Sequence, residues 1–148
     1  HCNCSFTEIK RYTRRISGPL LDRIDIHLQV PRVTYKELNE SRKEESSAEI
    51  RKRVEEARKR QLSRFREKNI VCNAQMSHAV LKEMCRITKT AQNMMERAFK
   101  EQGMSARSYD RIIKVAQTIA DLDKSDIIDV KHMAEAIQFR SNILKLAD

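Results

Sequence analysis

The sequence predicts a mainly α-helical chain, and three observations carry that prediction. Only two glycines and two prolines interrupt 148 residues, so tight turns are few. Hydrophobic side chains recur at helical spacing through most of the second half. Serine and threonine residues stand in front of these stretches, where their oxygens can cap the free N–H groups of a helix. We therefore expect a bundle of four or five helices there.

The first 38 residues predict a short helix followed by a strand. Ser5 and Glu8 form a capping box, which opens a helix that ends at a Gly-Pro pair. Apolar and polar residues alternate over 24–30, which predicts a strand that Pro31 ends. One strand is not stable alone. We expect its partners in a missing N-terminal portion or in another copy of the chain.

The helices of the second half are predicted from their first residues. Ser46 and Glu49 form another capping box, and the helix behind them should reach about Lys68. The clearest helix runs from Ser105 to about Leu122, with its apolar residues on one face. The other predicted caps are Ser77, Thr88 or Thr90, and Asp129.

Composition narrows the environment and the partners. The net charge of +9 and the pI of about 9.6 favour polyanionic partners, with solubility alone as the alternative. No apolar run is long enough to cross a bilayer, and no signal peptide opens the chain. Four cysteines do not form a disulfide pattern, so we expect a reducing, cytoplasmic compartment. The chain starts at His1 without an initiator Met, and we interpret it as part of a longer protein.

Arg107 is the most informative single residue. It falls in the first turn of the helix that Ser105 caps. A cation there lies at the positive end of the helix dipole, which costs about 0.3–1 kcal/mol of stability. Helical spacing puts Arg107, Arg111 and Lys114 on the side opposite the apolar stripe. Together with free N–H groups, these cations predict a phosphate site. The alternative is a solvated basic face.

Arg23 lies at the turn before the predicted strand. Such a position is exposed and rigid, as suits an arginine that reaches into a neighbouring active site. The alternative is a surface ion pair with Asp22 or Asp25.

The predicted helix from Ser46 is strongly basic, and Arg51, Arg58 and Lys59 are our candidates for contact with DNA phosphates. The same helix could pack along a partner subunit. The alternative is a solvated face that i,i+4 ion pairs support.

Cys2 and Cys4, close to His1, suggest half of a zinc site, because tetrahedral zinc needs four ligands. The sequence contains no G-x-x-x-x-G-K-[ST] loop, so we expect no ATP hydrolysis by this chain alone.

Three stretches together resemble one protein family. They are residues 15–26, which contain Leu-Leu-Asp-Arg-Ile-Asp, residues 45–51, and residues 105–116, which read Ser-Ala-Arg-Ser-Tyr-Asp-Arg-Ile-Ile-Lys-Val-Ala. In these motifs the chain resembles the C-terminal portion of the magnesium chelatase-like AAA+ ATPases of the ComM/YifB type. The resemblance implies that residues 1–38 are the end of the AAA+ core and residues 39–148 are the helical lid.

The resemblance also implies roles for particular residues. Arg23 would be an arginine finger acting in trans on the ATP of a neighbouring subunit. Arg107 would be the sensor 2 arginine on the γ-phosphate, with Arg111 beside it. Cys2 and Cys4 would be half of a cysteine cluster. The full-length protein would bind ATP with Mg²⁺, form a ring of six subunits and act on DNA. The alternatives are the motor subunit of a metal chelatase and a stand-alone basic DNA-binding module.

Overall fold

Helices make up most of the described chain, which confirms the mainly α prediction. The computed structural model describes residues 4–13, 15–39 and 45–147. A short 3₁₀ turn over Asn73–Gln75 separates two of the longer helices. The α-helices are α1 Phe6–Thr13, α2 Gly18–Leu21, α3 Tyr35–Asn39, α4 Ser47–Arg64, α5 His78–Met84, α6 Lys89–Glu101, α7 Ala106–Leu122 and α8 Val130–Ala147.

The helices begin where the capping residues predict. Ser46 and Glu49 form the complete capping box of α4. The Ser105 side chain accepts from the Ser108 backbone N–H at the start of α7. Of the two candidates before α6, Thr88 is the cap. Helix α4 stops at Arg64, earlier than the predicted Lys68, because the chain turns there to begin the connection to α5.

The strand predicted over residues 24–30 is wrong for the described chain. These residues form no β-ladder with any other part of the described chain. Beyond their own turn, their one backbone–backbone hydrogen bond to a described residue joins the His27 N–H to the Phe139 carbonyl at 2.8 Å. A strand exists only when a second strand supplies its hydrogen bonds, and the described residues offer none here. Its alternating side chains remain exposed, from 42% at Ile24 to 85% at Val30.

The hydrophobic core lies around α7. The buried face of this helix includes Ile112, Ile113, Ala116 and Ala120, and Met133 of α8 belongs to the same core. Helices α4, α5 and α8 all contact α7. Because α7 is central, any side chain on its opposite side is held on a rigid support.

Helix α4 docks on α7 through a buried polar cluster. The Arg64 guanidinium pairs with the Asp121 carboxylate, whose side chain is fully buried. Asn73 donates to Asp121 at 2.8 Å and accepts from Arg64 at 3.0 Å. The N-terminal half of α4 lacks such support, since Ile50 and Val54 are 42% and 46% exposed. The buried side chains of the helix, and the side chains paired with the residues that follow α7, lie from its middle onward, so α4 is anchored over its C-terminal half.

The segment before α4 has a largely apolar exposed surface. Within residues 6–38 the exposed large hydrophobic residues are Phe6, Ile9, Tyr12, Ile16, Leu20, Ile24, Ile26, Leu28, Val30, Val33, Tyr35 and Leu38. Within the described residues, no helix has the length and apolar character that crossing a membrane requires.

Candidate functional site

Three cations of α7 and two carboxylates line one cleft beside the first turns of that helix. Arg107, Arg111 and Lys114 follow each other at intervals of four and three residues, so helical geometry places them on one side. They meet Asp25 and Asp110 in a cleft of about 290 Å³. The side chains that the sequence predicts as a phosphate site are thus brought together.

The charged side chains of the cleft differ in whether they already have a partner. Arg111 forms an ion pair with Asp25. Lys114 Nζ donates to the Ala74 carbonyl at 3.0 Å. Asp110 is engaged with His78 Nδ1 at 2.7 Å. Arg107 is exposed and has no hydrogen bond or ion pair with any residue that the structure describes. Arg107 is therefore the cation that an incoming anion can reach without displacing a partner.

A carboxylate already lies at the N-terminal end of α7. Asp22 Oδ2 accepts from Ser105 Oγ at 3.2 Å, and Asp22 Oδ1 accepts from Ser108 Oγ at 3.0 Å. Arg140 Nη2 donates to Asp22 Oδ1 at 3.3 Å. A negative group is favourable at this end of a helix dipole. Because Asp22 already occupies the capped end of α7, we expect an external anion to bind at the Arg107 side chain instead.

Sequence reasoning missed Asp22 and Arg140 as members of this site. The two residues are 118 positions apart, and no local pattern connects them. The one sequence signal for Asp22 is its place in the Leu-Leu-Asp-Arg turn, directly before Arg23.

Arg23 projects from the turn next to this cleft. Its side chain is exposed, and among the described residues it makes one hydrogen bond, from Nη1 to the Pro19 carbonyl at 3.3 Å. The surface ion pair with Asp22 or Asp25 is not formed, because those carboxylates engage Arg140 and Arg111 instead. The charged end of Arg23 is not neutralised by either acid.

The basic helix α4 has two kinds of cation. Arg51 and Lys59 are exposed, and Arg58 is exposed but donates to Gln61 at 3.2 Å. A second set is paired with acids outside the helix: Arg53 with Glu45, Arg60 with Asp126 and Arg64 with Asp121. Within the described chain no close ion pair joins two side chains of α4. The pKa of Glu56 is lowered mainly by Lys124 and further by Lys52, four residues away on the helix, so the expected i,i+4 support is weak rather than absent.

The zinc prediction gains no support. Cys2 lies outside the described residues, and Cys4 is an exposed free thiol. No group of three His, Cys, Asp or Glu side chains in the described ranges could hold a metal ion. The cleft suits a phosphate oxygen better than Mg²⁺, because both of its carboxylates already have partners and Arg107 does not. Any Mg²⁺ bound with ATP would need ligands from elsewhere.

Comparison with known proteins gives the family. Residues 44–140 match the family described as magnesium chelatase, subunit ChlI C-terminal, and residues 1–38 match magnesium chelatase, subunit ChlI. The chain is 36% identical to YifB of Escherichia coli over 142 residues, which is 95% of this chain and 27% of that protein. It is 34% identical to the competence protein ComM of Haemophilus influenzae over 144 residues, 97% of this chain and 28% of that protein.

A further relative is the protein Rv2897c of Mycobacterium tuberculosis, which is 31% identical over 139 residues, 94% of this chain and 27% of that protein. The chain thus spans about a quarter of the length of the relatives that it matches. The match over 44–140 covers well over half of the chain, and the motifs around Arg23 and Arg107 both fall within matched residues. This chain belongs to the magnesium chelatase ChlI family.

Proposed function

We propose that this chain is the nucleotide-sensing C-terminal part of a magnesium chelatase-like AAA+ ATPase that remodels DNA. The observation that carries the proposal is Arg107, an arginine without a partner among the described residues, on the rigid central helix and in a cleft with two further cations. In this reading residues 1–38 belong to the ATPase core and residues 39–148 form the lid.

The two arginines act on ATP from opposite sides of a subunit boundary. ATP with Mg²⁺, bound in the full-length protein, supplies the phosphoanhydride bond that is hydrolysed. Arg107 donates charge-assisted hydrogen bonds to its terminal phosphate from the lid, which orients that group. Arg23, exposed on its turn, enters the site of the neighbouring subunit of a ring and offsets the negative charge that grows on the phosphate oxygens.

DNA is the partner that the basic helix favours. Arg51 and Lys59 are exposed on α4, and neither belongs to an ion pair among the residues that the structure describes. The name of the Haemophilus relative, a competence protein, points in the same direction. Phosphate contacts of this kind release counterions, so DNA binding should weaken steeply as salt rises.

The first test is the ATPase activity of the full-length protein and its Arg107→Ala variant. A charge-assisted hydrogen bond contributes about 1.5–3 kcal/mol, so we expect turnover to fall about tenfold or more. Arg97→Ala is the matched control, because Arg97 is also exposed near the surface of the helical bundle but lies on α6, outside the cleft. Turnover at the wild-type level in the Arg107 variant would contradict the proposal.

The second test adds branched DNA to the same assay. Stimulation supports the DNA motor, and replacing Arg51, Arg58 and Lys59 together by Ala should remove it. The family description also supports a metal-chelatase motor. Turnover that is indifferent to DNA, together with stimulated magnesium insertion by a porphyrin-binding partner, would establish that second candidate instead.

A further inference from the structure

The turn that carries Arg23 is fastened to the helix that carries Arg107. We call the four residues that make this connection the Asp22 clamp: Asp22, Ser105, Ser108 and Arg140. Asp22 accepts one hydrogen bond from each serine of α7, at 3.2 and 3.0 Å. Arg140 of α8 completes the clamp by donating to Asp22 at 3.3 Å and to Ser108 Oγ at 3.1 Å.

Arg140 holds the chain on both sides of Arg23. One end of its guanidinium binds the Asp22 carboxylate, and Nη1 donates to the Ile24 carbonyl at 3.0 Å. Arg140 and Ser108 are both buried, so water competes little for the bond between them, whereas the Asp22 side chain is 42% exposed. The backbone positions immediately before and after Arg23 are therefore fixed, while the Arg23 side chain stays exposed.

A second contact joins the same turn to α7. Asp25, two residues after Arg23, forms the ion pair with Arg111 at the cleft. Arg111 is one turn along α7 from Arg107. A rearrangement of α7 that follows from anion binding at Arg107 would thus be transmitted to the turn of Arg23 through the clamp and through this ion pair.

We propose that Asp22 is a positioning residue for Arg23: through the clamp it sets where Arg23 projects and makes that position depend on helix α7. The inference rests on the proposed function, in which Arg23 acts on the ATP of a neighbouring subunit. Asp22 itself touches no nucleotide. Its loss should slow the chemical step in the neighbouring site and leave ATP binding there unchanged.

The experiment is a double-mutant cycle on ATP hydrolysis by the full-length protein. The variants are Asp22→Ala, Arg23→Ala and the two combined. We expect Asp22→Ala to lower kcat about tenfold with KM for ATP within twofold of wild type. The combined variant should be no slower than Arg23→Ala alone, because residues that act as a unit are not additive. Asp22→Asn keeps an oxygen for Ser108 and Arg140, so its kcat should lie between wild type and Asp22→Ala.

Asp126→Ala is the matched control, since it removes an exposed aspartate between α7 and α8 that pairs with Arg60 of α4 and is not a member of the clamp. Should Asp22→Ala fail to fold, Ser108→Ala removes the hydroxyl that bonds Asp22 and Arg140 but leaves the Arg140–Asp22 contact in place. This variant is expected to lower kcat severalfold at unchanged KM. An unchanged kcat in these clamp variants, or losses that add in the combined variant, would overturn the inference and leave the proposed function standing. A normal kcat in Arg23→Ala would overturn both.

Discussion

The buried ion pair between Arg64 and Asp121 should be one of the most sensitive points of the fold. Asp121 is fully buried and accepts from Arg64, from Asn73 at 2.8 Å and from Gln117 at 3.4 Å. The carboxylate raises the pKa of Arg64, which keeps the guanidinium charged inside the bundle. The replacement Asp121→Ala would leave that charge without its counterion.

The size of the effect follows from the burial of both partners. Removing one member of a buried ion pair costs about 3–5 kcal/mol. The Arg64 side chain is 14% exposed, so water can reach part of it, and we expect the lower end of that range. At a typical urea dependence of about 2 kcal/mol per molar, a loss of about 3 kcal/mol moves the unfolding midpoint down by about 1.5 M.

Urea unfolding of the 148-residue chain, followed by the helical signal in circular dichroism, measures this shift. The control is Asp126→Ala, because Asp126 also pairs with an arginine of α4 but is 82% exposed. An exposed pair contributes about 0–1 kcal/mol, so the control midpoint should move by less than about 0.5 M. Equal shifts in Asp121→Ala and the control would refute the reasoning.

A compensating variant separates the charge from the packing. Replacing Arg64 by Met together with Asp121→Ala removes both charges, and much of the lost stability should return. If the double variant is less stable than Asp121→Ala alone, the unpaired charge of Arg64 is not the cause of the lost stability.

Three smaller predictions concern other residues. Burial raises the pKa of Cys85 to about 11, so at pH 8 only about one Cys85 thiol in a thousand is ionised. Mass spectrometry should therefore find the exposed Cys4 alkylated by iodoacetamide well before Cys85, and equal rates of alkylation would contradict this. Burial and the nearby Arg140 charge lower the pKa of His27 below its usual value near 6.5. The unfolded chain therefore binds the proton first, and the folded chain loses stability as pH falls through about 6.5. The urea midpoints at pH 7.5 and pH 5.5 should differ more in wild type than in His27→Gln. Thr88→Ala removes the cap of α6 and should cost about 1 kcal/mol in the same unfolding assay, whereas an unchanged midpoint would show that the cap is not needed.

The features that local sequence determines were predictable. The start of α7 follows from Ser105, and its buried face follows from the spacing of residues such as Ile112 and Ala116. The grouping of Arg107, Arg111 and Lys114 follows from the same helical period. Each of these predictions needs only residues within one or two turns of each other.

The contacts between distant residues were not predictable. Arg64 looked like one more cation of a solvated basic helix, yet it pairs with Asp121, which is 57 residues away. The connection of Asp22 to Arg140 spans 118 residues, about twice as many. The alternation over residues 24–30 is typical of a strand, but a strand also needs a neighbouring strand to pair with. The described part of the chain does not supply one. A single sequence records a side chain's chemistry but not its partner across the fold.

Because α4 is anchored along its C-terminal half, its N-terminal half extends beyond the buried contacts. Its buried side chains begin at Ala57, so residues 47–56 form an arm of about 15 Å at 1.5 Å per residue. A tilt of about 10° against α7 would move the N-terminal tip of this arm by about 3 Å, roughly half the pitch of one α-helical turn. Arg51 lies near that tip, so a small tilt of the helix displaces this exposed cation much more than it displaces the buried contacts.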